Sequence, residues 1–169
     1  MNEKAEYETS LHDAALVCKD HPRIALRGML DGLHARAVLC AVVAQREGEL
    51  EAARGAQRIA QAALSLLASE YSGEPPQTVP GLALEQAHAD SHAPQRAFGV
   101  AHFFVEPQMG ETMAQLNVLR TYIRDCERAA IAVREQVHPE LIRMLNRLSS
   151  YAYCLMCALL AARGETACK

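Results

Sequence analysis

Between residues 113 and 133, apolar side chains recur in steps of three and four: Met113, Leu116, Leu119, Ile123, Cys126, Ala130 and Val133. A strand cannot use that spacing, because its faces alternate every second residue. A helix can, and the stripe is the face that it buries. The chain repeats the pattern. Leu26, Leu30, Leu33, Ala37, Cys40 and Val43 form a second stripe, and Leu141, Leu145, Leu148, Ala152, Leu155, Leu159 and Ala162 a third. Stripes of this kind can only be buried against one another, which predicts a helical bundle.

Local signals place the boundaries. Pro22, after Asp20 and His21, suits the first turn of a helix running to about Arg46, because its missing N–H has no bond to make there. Gly48 breaks the chain, and an alanine-rich helix follows from about Glu49 to Tyr71. Ser72 to Gly81 is rich in turn formers, and a short helix is expected near Leu82–Asp90. The apolar loop Ala101–Gly110 feeds the helix over 111–136. His138-Pro139 starts a last helix ending near Arg163-Gly164, where glycine is a usual stop. Residues 9–19 read as partly extended or loop, and residues 1–8 are polar and expected to be mobile. The expectation is one all-α domain over 1–169, with four long helices and a short one.

Composition narrows the function classes. Hydrophobic residues make up 50% and aromatics only 5%, with no Trp, so the core must be built from Ala and Leu on closely packed helices. The net charge is −3, acidic over 1–110 and slightly basic over 111–169. That balance argues against nucleic-acid binding. The most apolar run, Tyr151–Ala162, is too short to span a bilayer, so no membrane role is expected. Six cysteines fall mostly at apolar helix positions with no secretory leader ahead of them, which points to reduced thiols in the cytoplasm. Cys154 and Cys157 form a C-x-x-C inside a helix without a second pair, and read as two small core residues.

Several polar groups need an explanation. The other face of the 113–133 helix carries Asn117, Arg120, Arg124 and Glu127. Arginines four apart repel, at a cost of roughly a few tenths of a kcal/mol. They form either a phosphate clamp, for which guanidinium forks are suited, or a solvated face on which Glu127 compensates Arg124. Asp31 lies between Gly28 and Gly32, which thin one side of the first helix. It either pairs with Arg27 in a close helix packing or reaches an arginine across an interface. His88 and His92 stand at i and i+4, but no third ligand accompanies them, so a metal site is disfavoured. Phe103 and Phe104 either plug the core or line a pocket mouth. Asn146 and Ser149 interrupt an apolar helix and need partners if buried.

These pieces occur together in a known family. LRTYIRDCER followed by LNRLSS resembles the late helices of the ATP:cob(I)alamin adenosyltransferases, with their R-x-x-x-R-x-x-E and L-N-R-L-S-D/S. Phe104-Val-Glu-Pro with Gly110 is similar to the F-x-x-P…G loop ahead of the arginine helix. Lys19-Asp20 with Gly28 and Asp31 is similar to the family's K-D…G-T-x-D-E-L. The resemblance runs from about Thr9 to Ala162 and leans toward the ethanolamine-utilisation branch, with likeness also to the propanediol-utilisation type. Two departures stand out. The glycine-rich phosphate loop of the propanediol-type enzymes is replaced by MNEKAEYE, and the His/Cys metal motif of some ethanolamine-type enzymes is absent, which argues against a required transition metal.

The resemblance implies a five-helix bundle, usually trimeric, with active sites between subunits. It implies transfer of the 5′-deoxyadenosyl group of ATP to cob(I)alamin with Mg²⁺, giving adenosylcobalamin. Arg120 and Arg124 meet the leaving polyphosphate, with Lys19 sharing the load. Glu127 orients Arg124 or helps place Mg²⁺, and Asn146 holds the nucleotide. Asp31 pairs with Arg120 across the subunit boundary. Phe104, with Phe103 beside it, presses on the lower corrin face. The implied partners are a reductase and a cobalamin-dependent lyase such as ethanolamine ammonia-lyase. The implied setting is the bacterial cytoplasm, in association with a microcompartment. The rival reading is a non-catalytic carrier or sensor of cobalamin or nucleotide with the same fold, and the missing phosphate loop feeds it.

Overall fold

A computed structural model describes residues 5–11 and 16–164. Four long helices make the body: α1 (Pro22–Arg46), α2 (Leu50–Ser72), α5 (Glu111–Ala132) and α6 (Pro139–Ala162). Two short helices, α3 (Leu84–Ser91) and α4 (Pro94–Phe98), lie against α6. Ahead of α1, strands β1 (Glu8–Ser10) and β2 (Leu16–Cys18) pair antiparallel, Glu8 opposite Cys18. Glu8 thus belongs to a ladder, although the sequence places it in a mobile segment. Residues 1–4 of that segment lie outside the described residues.

Both long helices that begin with His-Pro use one capping device. The His21 Nδ1 accepts the Arg23 amide at 3.2 Å, and the His138 Nδ1 accepts the Glu140 amide at 3.2 Å. The side chain satisfies an orphan donor of the first turn, and the proline has none to satisfy. The start of α5 is capped from elsewhere. Glu47, just past α1, accepts the Thr112 amide at 3.0 Å and its hydroxyl at 2.6 Å. Arg163 then ties the end of α6 to Glu49 (2.7 Å) and to the Met109 carbonyl (2.7 Å).

The 113–133 stripe is buried throughout, as is the stripe of α1. On α6 the outer positions depart from expectation. Leu155 is half-buried, lying over Gly55 of α2 so closely that a Cβ there would come within 2.5 Å of it. Ala162 is exposed in the last turn, where the bundle ends. Two expected helix limits also shift. The short helix runs Leu84–Ser91, and a second one follows it, separated because Pro94 bars its predecessor Ala93 from helical torsions (φ −140°, ψ 57°). The helix expected over 111–136 ends at Ala132, and a single 3-10 turn covers Arg134–Gln136.

Gly28 and Gly32 do not act together. A Cβ on Gly32 would stand 2.5 Å from the Tyr122 hydroxyl, so this glycine lets α1 and α5 approach; Gly28 faces open space. Nor does Arg27 pair with Asp31. Its Nε donates to Glu70 Oε2 at 2.7 Å, and its Nη2 to the Leu11 carbonyl at 3.0 Å, which ties the β1 end to α1 and α2. Arg23 joins from one turn earlier, donating to Glu70 Oε1 at 2.8 Å. Glu70 is fully buried and Arg23 nearly so, a charged pair inside an apolar helix seam.

Candidate active site

The polar face of α5 and the adjoining face of α6 open onto a cavity of about 590 Å³. Helical spacing places its walls. Arg120 and Arg124 are one turn apart on α5, with Asn117 a turn earlier. Asn146, Ser149, Ser150 and Tyr153 recur at three and four on α6. His88, Ser91 and His92 come from α3, and His102, Phe103, Phe104 and Val105 from the loop before α5. Five of the residues to which the resemblance gives site roles are therefore brought together: Phe103, Phe104, Arg120, Arg124 and Asn146.

The arginines are arranged differently from one another. Arg120 is half-buried, and its Nε and Nη2 both donate to Asn117 Oδ1, at 3.3 and 3.2 Å. Burial first, and then the charge of Arg124, draws its pKa below the usual guanidinium value, with Tyr153 opposing. Arg124 is exposed and makes no hydrogen bond or ion pair to another described residue. A cation held without a carboxylate beside a second cation costs stability, and an anionic ligand removes that cost.

Glu127 does not reach Arg124. Its Oε1 accepts the Asn146 Nδ2 at 2.9 Å, while Asn146 Oδ1 accepts from Arg147 at 2.7 Å. The amide of Asn146 is thereby fixed in orientation, N toward Glu127 and O toward Arg147. Arg147 is held in turn by Glu85 of α3 at 3.4 Å. Glu127 stands behind the cavity wall, supporting Asn146. Ser149 meets its need within its own helix, donating to the Asn146 carbonyl at 2.8 Å.

Lys19 and Asp31 do not line the cavity. Lys19 follows β2, exposed, with its amide bonded to the Tyr7 carbonyl at 2.8 Å. Asp31 is exposed on α1 without an ion pair among the described residues. Phe104 is 92% exposed at the cavity mouth, while Phe103 is half-buried and stacks on Tyr153.

Sequence reasoning missed Tyr153, His102 and the cavity role of His88 and His92. A signal existed for Tyr153: it lies seven residues beyond Asn146, two turns along the same face. His88 faces Ser150 Oγ at 3.4 Å, and the two imidazoles stand edge to face at 4.6 Å. Partial burial, then the charge of Arg147 and of His92, holds His88 below the usual imidazole range, with Glu85 opposing. No group of three metal-ligating side chains converges among the described residues. No helix among them is long and apolar enough to cross a membrane. Cys154 is buried, with its thiol on the Ala87 carbonyl at 3.2 Å, and Cys157 is buried beside it, as core residues are.

This arrangement has relatives. The family model described as cobalamin adenosyltransferase matches residues 2–159. The chain belongs to that family. Among cobalamin adenosyltransferases it is similar to the corrinoid adenosyltransferase EutT of Escherichia coli strain K12, 31% identical over 160 residues. EutT of Salmonella typhimurium strain LT2 is 29% identical over 160 residues. The corrinoid adenosyltransferase PduO of the same organism is 32% identical over 155 residues. The matches take in 90% of this chain for EutT and 87% for PduO, but only 58% and 45% of those relatives. The chain thus spans about half the length of the curated relatives that it matches.

Proposed function

We propose that the protein transfers the 5′-deoxyadenosyl group of ATP to a cob(I)alamin, in the service of ethanolamine utilisation. The observation that carries this reading is the meeting of an uncompensated arginine pair, a fixed asparagine amide and an exposed aromatic loop around one cavity. The first two suit a nucleotide with a polyphosphate tail, and the third suits a large apolar ring.

In the reaction the cobalt(I) lone pair attacks C5′, the C5′–O5′ bond breaks, and its electrons leave on the polyphosphate. Arg120 and Arg124 stand where that negative charge is released. A donor held at such a place, as Asn117 holds Arg120, lowers the barrier by roughly 3 kcal/mol, and Arg124 adds its charge from the exposed side. Asn146 presents a set hydrogen-bonding edge to the nucleotide. Phe104 presses on the lower corrin face, excludes water and an axial ligand from cobalt(II), and so eases its reduction. Mg²⁺ usually keeps one or two protein carboxylates and completes its shell with phosphate and water. Glu127 is turned to Asn146 and does not line the cavity, so the ion would arrive on the nucleotide and supply charge neutralisation there.

The assembly reading is a homotrimer with shared sites. An exposed stripe on α1 supports association: Gly28, Asp31, Ala35, Val38, Leu39 and Val42, with the last three 42–57% exposed. Arg120 has no carboxylate in its own described chain and Asp31 has no cation, so each is available to a neighbouring copy. Lys19 would join the polyphosphate from the same seam. The remaining partners are a reductase that supplies cobalt(I) and a cobalamin-dependent lyase that takes the product.

The test supplies chemically reduced cobalamin, ATP and Mg²⁺ and follows loss of the cobalt(I) absorbance. Conversion to adenosylcobalamin is the expected result. Cobalamin bound but unconverted overturns catalysis and favours a carrier.

A further inference from the structure

Phe104 is almost wholly exposed, so its own packing does not hold it in place. Residues 101–106 form no helix or strand, and something else must fix that stretch of loop. Val100 is buried at one end. Between that anchor and Phe104 come His102 and Phe103, and both lie on one side chain. The Tyr153 ring is stacked with His102 at 5.5 Å and 29°, and with Phe103 at 6.0 Å and 22°. Its hydroxyl stands 3.1 Å from His102 Nδ1. Tyr153 is itself nearly buried on α6, a rigid element, two turns beyond Asn146.

We propose that Tyr153 is a positioning residue that sets where Phe104 meets the corrin face. It touches neither reacting atom. Its ring gives the loop a floor, and its hydroxyl, through His102, fixes how the loop lies on that floor. Two adjacent loop residues held on one helical side chain leave the next residue, Phe104, little freedom in direction. Burial raises the Tyr153 phenol well above its usual value, so the hydroxyl keeps its proton at neutral pH and stands within hydrogen-bond distance of His102 Nδ1. The same α6 face thus carries a nucleotide-side group, Asn146, and a corrin-side support, Tyr153. A cobalt(II) that must lose its axial ligand is sensitive to the wedge. Chemically prepared cobalt(I) is not, because it has already lost that ligand. The proposal rests on the corrinoid reading above.

The experiment compares two arms in the full chain: adenosylation from chemically reduced cobalt(I), and from cobalt(II) with a flavin reductant. The readout is the ratio of the two rates, with the absorption spectrum of cobalt(II)alamin bound in the presence of ATP. Tyr153→Phe keeps the floor and removes the hydroxyl. His102→Phe keeps a ring stacked on that floor and removes the Nδ1 partner of the same hydrogen bond from an exposed loop position, where folding is not at stake. Each should raise the cobalt(I)-to-cobalt(II) rate ratio about fivefold, the size of one neutral hydrogen bond. The double variant should raise it no further, since both remove one interaction. The bound cobalt(II) spectrum should revert toward the axially ligated form in step. A ratio and spectrum like wild type, or two single effects that multiply, would overturn the positioning role. Wild type that converts neither form overturns the corrinoid reading itself, a different failure from a normal wild type with indifferent variants.

Discussion

Replacing Arg124 by alanine should separate activity from stability. Arg124 is exposed, its side chain bonds to no other described residue, and its charge opposes that of Arg120. Its loss therefore takes nothing from the fold and relieves a like-charge pair worth roughly a few tenths of a kcal/mol. The reaction stands to lose far more. If the guanidinium meets charge that appears only as the polyphosphate departs, removing it costs about 3–4 kcal/mol of barrier, on the order of 10²–10³ in kcat. The assay is loss of cobalt(I) absorbance at varied ATP, with thermal melting in parallel. The expected outcome is kcat down about a hundredfold or more and Tm within about 2 °C of wild type. Arg124→Lys should fall between, keeping charge but losing the two-pronged fork. A rise in KM with kcat intact would mean that Arg124 holds the bound nucleotide equally before and during reaction. Near-normal turnover would refute the reasoning outright.

Glu70→Ala should do the reverse, costing about 3–5 kcal/mol because it strips the buried Arg23 of its carboxylate, and lowering Tm by about 10 °C. Arg23→Met with Glu70→Leu should recover most of that loss, and a single-variant drop below about 2 °C would contradict the buried-pair account. The Thr112 hydroxyl, and then its amide, hold the Glu47 carboxyl below its usual value of 4.5. A lowered folded pKa means stabilisation that is present above 4.5 and lost as pH falls through the lowered value. Thr112→Val should accordingly lower Tm near neutral pH and lose that difference in acid; a gap that widens in acid would reverse the sign. Burial pushes the thiols of Cys40, Cys126 and Cys154 up to about 12, so they should resist a thiol reagent at neutral pH until the protein unfolds. In a Cys168→Ser variant only the exposed Cys18 should titrate in the native state, and release of more than one thiol would argue against the closed core.

Much of this molecule was written in one dimension. The stripes of α1 and α5 name their buried residues, because three-and-four spacing leaves one face to hide. Pro22 and Pro139 mark helix starts, because a residue without an N–H fits there. The arginine pair, Asn146 and the double phenylalanine could be picked out as needing an explanation, with a solvated face and a core plug still open until the motifs were read together.

Only the folded chain decided which of these groups meet and which are already engaged. Glu127 is spent on Asn146, not on Arg124, since their turns on α5 and α6 happen to face. Arg27 goes to Glu70, forty-three residues away, and leaves Asp31 without an ion pair among the described residues. Tyr153 looks like one more apolar helix residue until a loop from fifty residues earlier lies across it. The physical reason is the same in each case. Helix period and capping are set by neighbours a few bonds apart, which the order of residues records. The partner of a polar side chain is set by how helices rotate and pack, a choice made by the whole core at once.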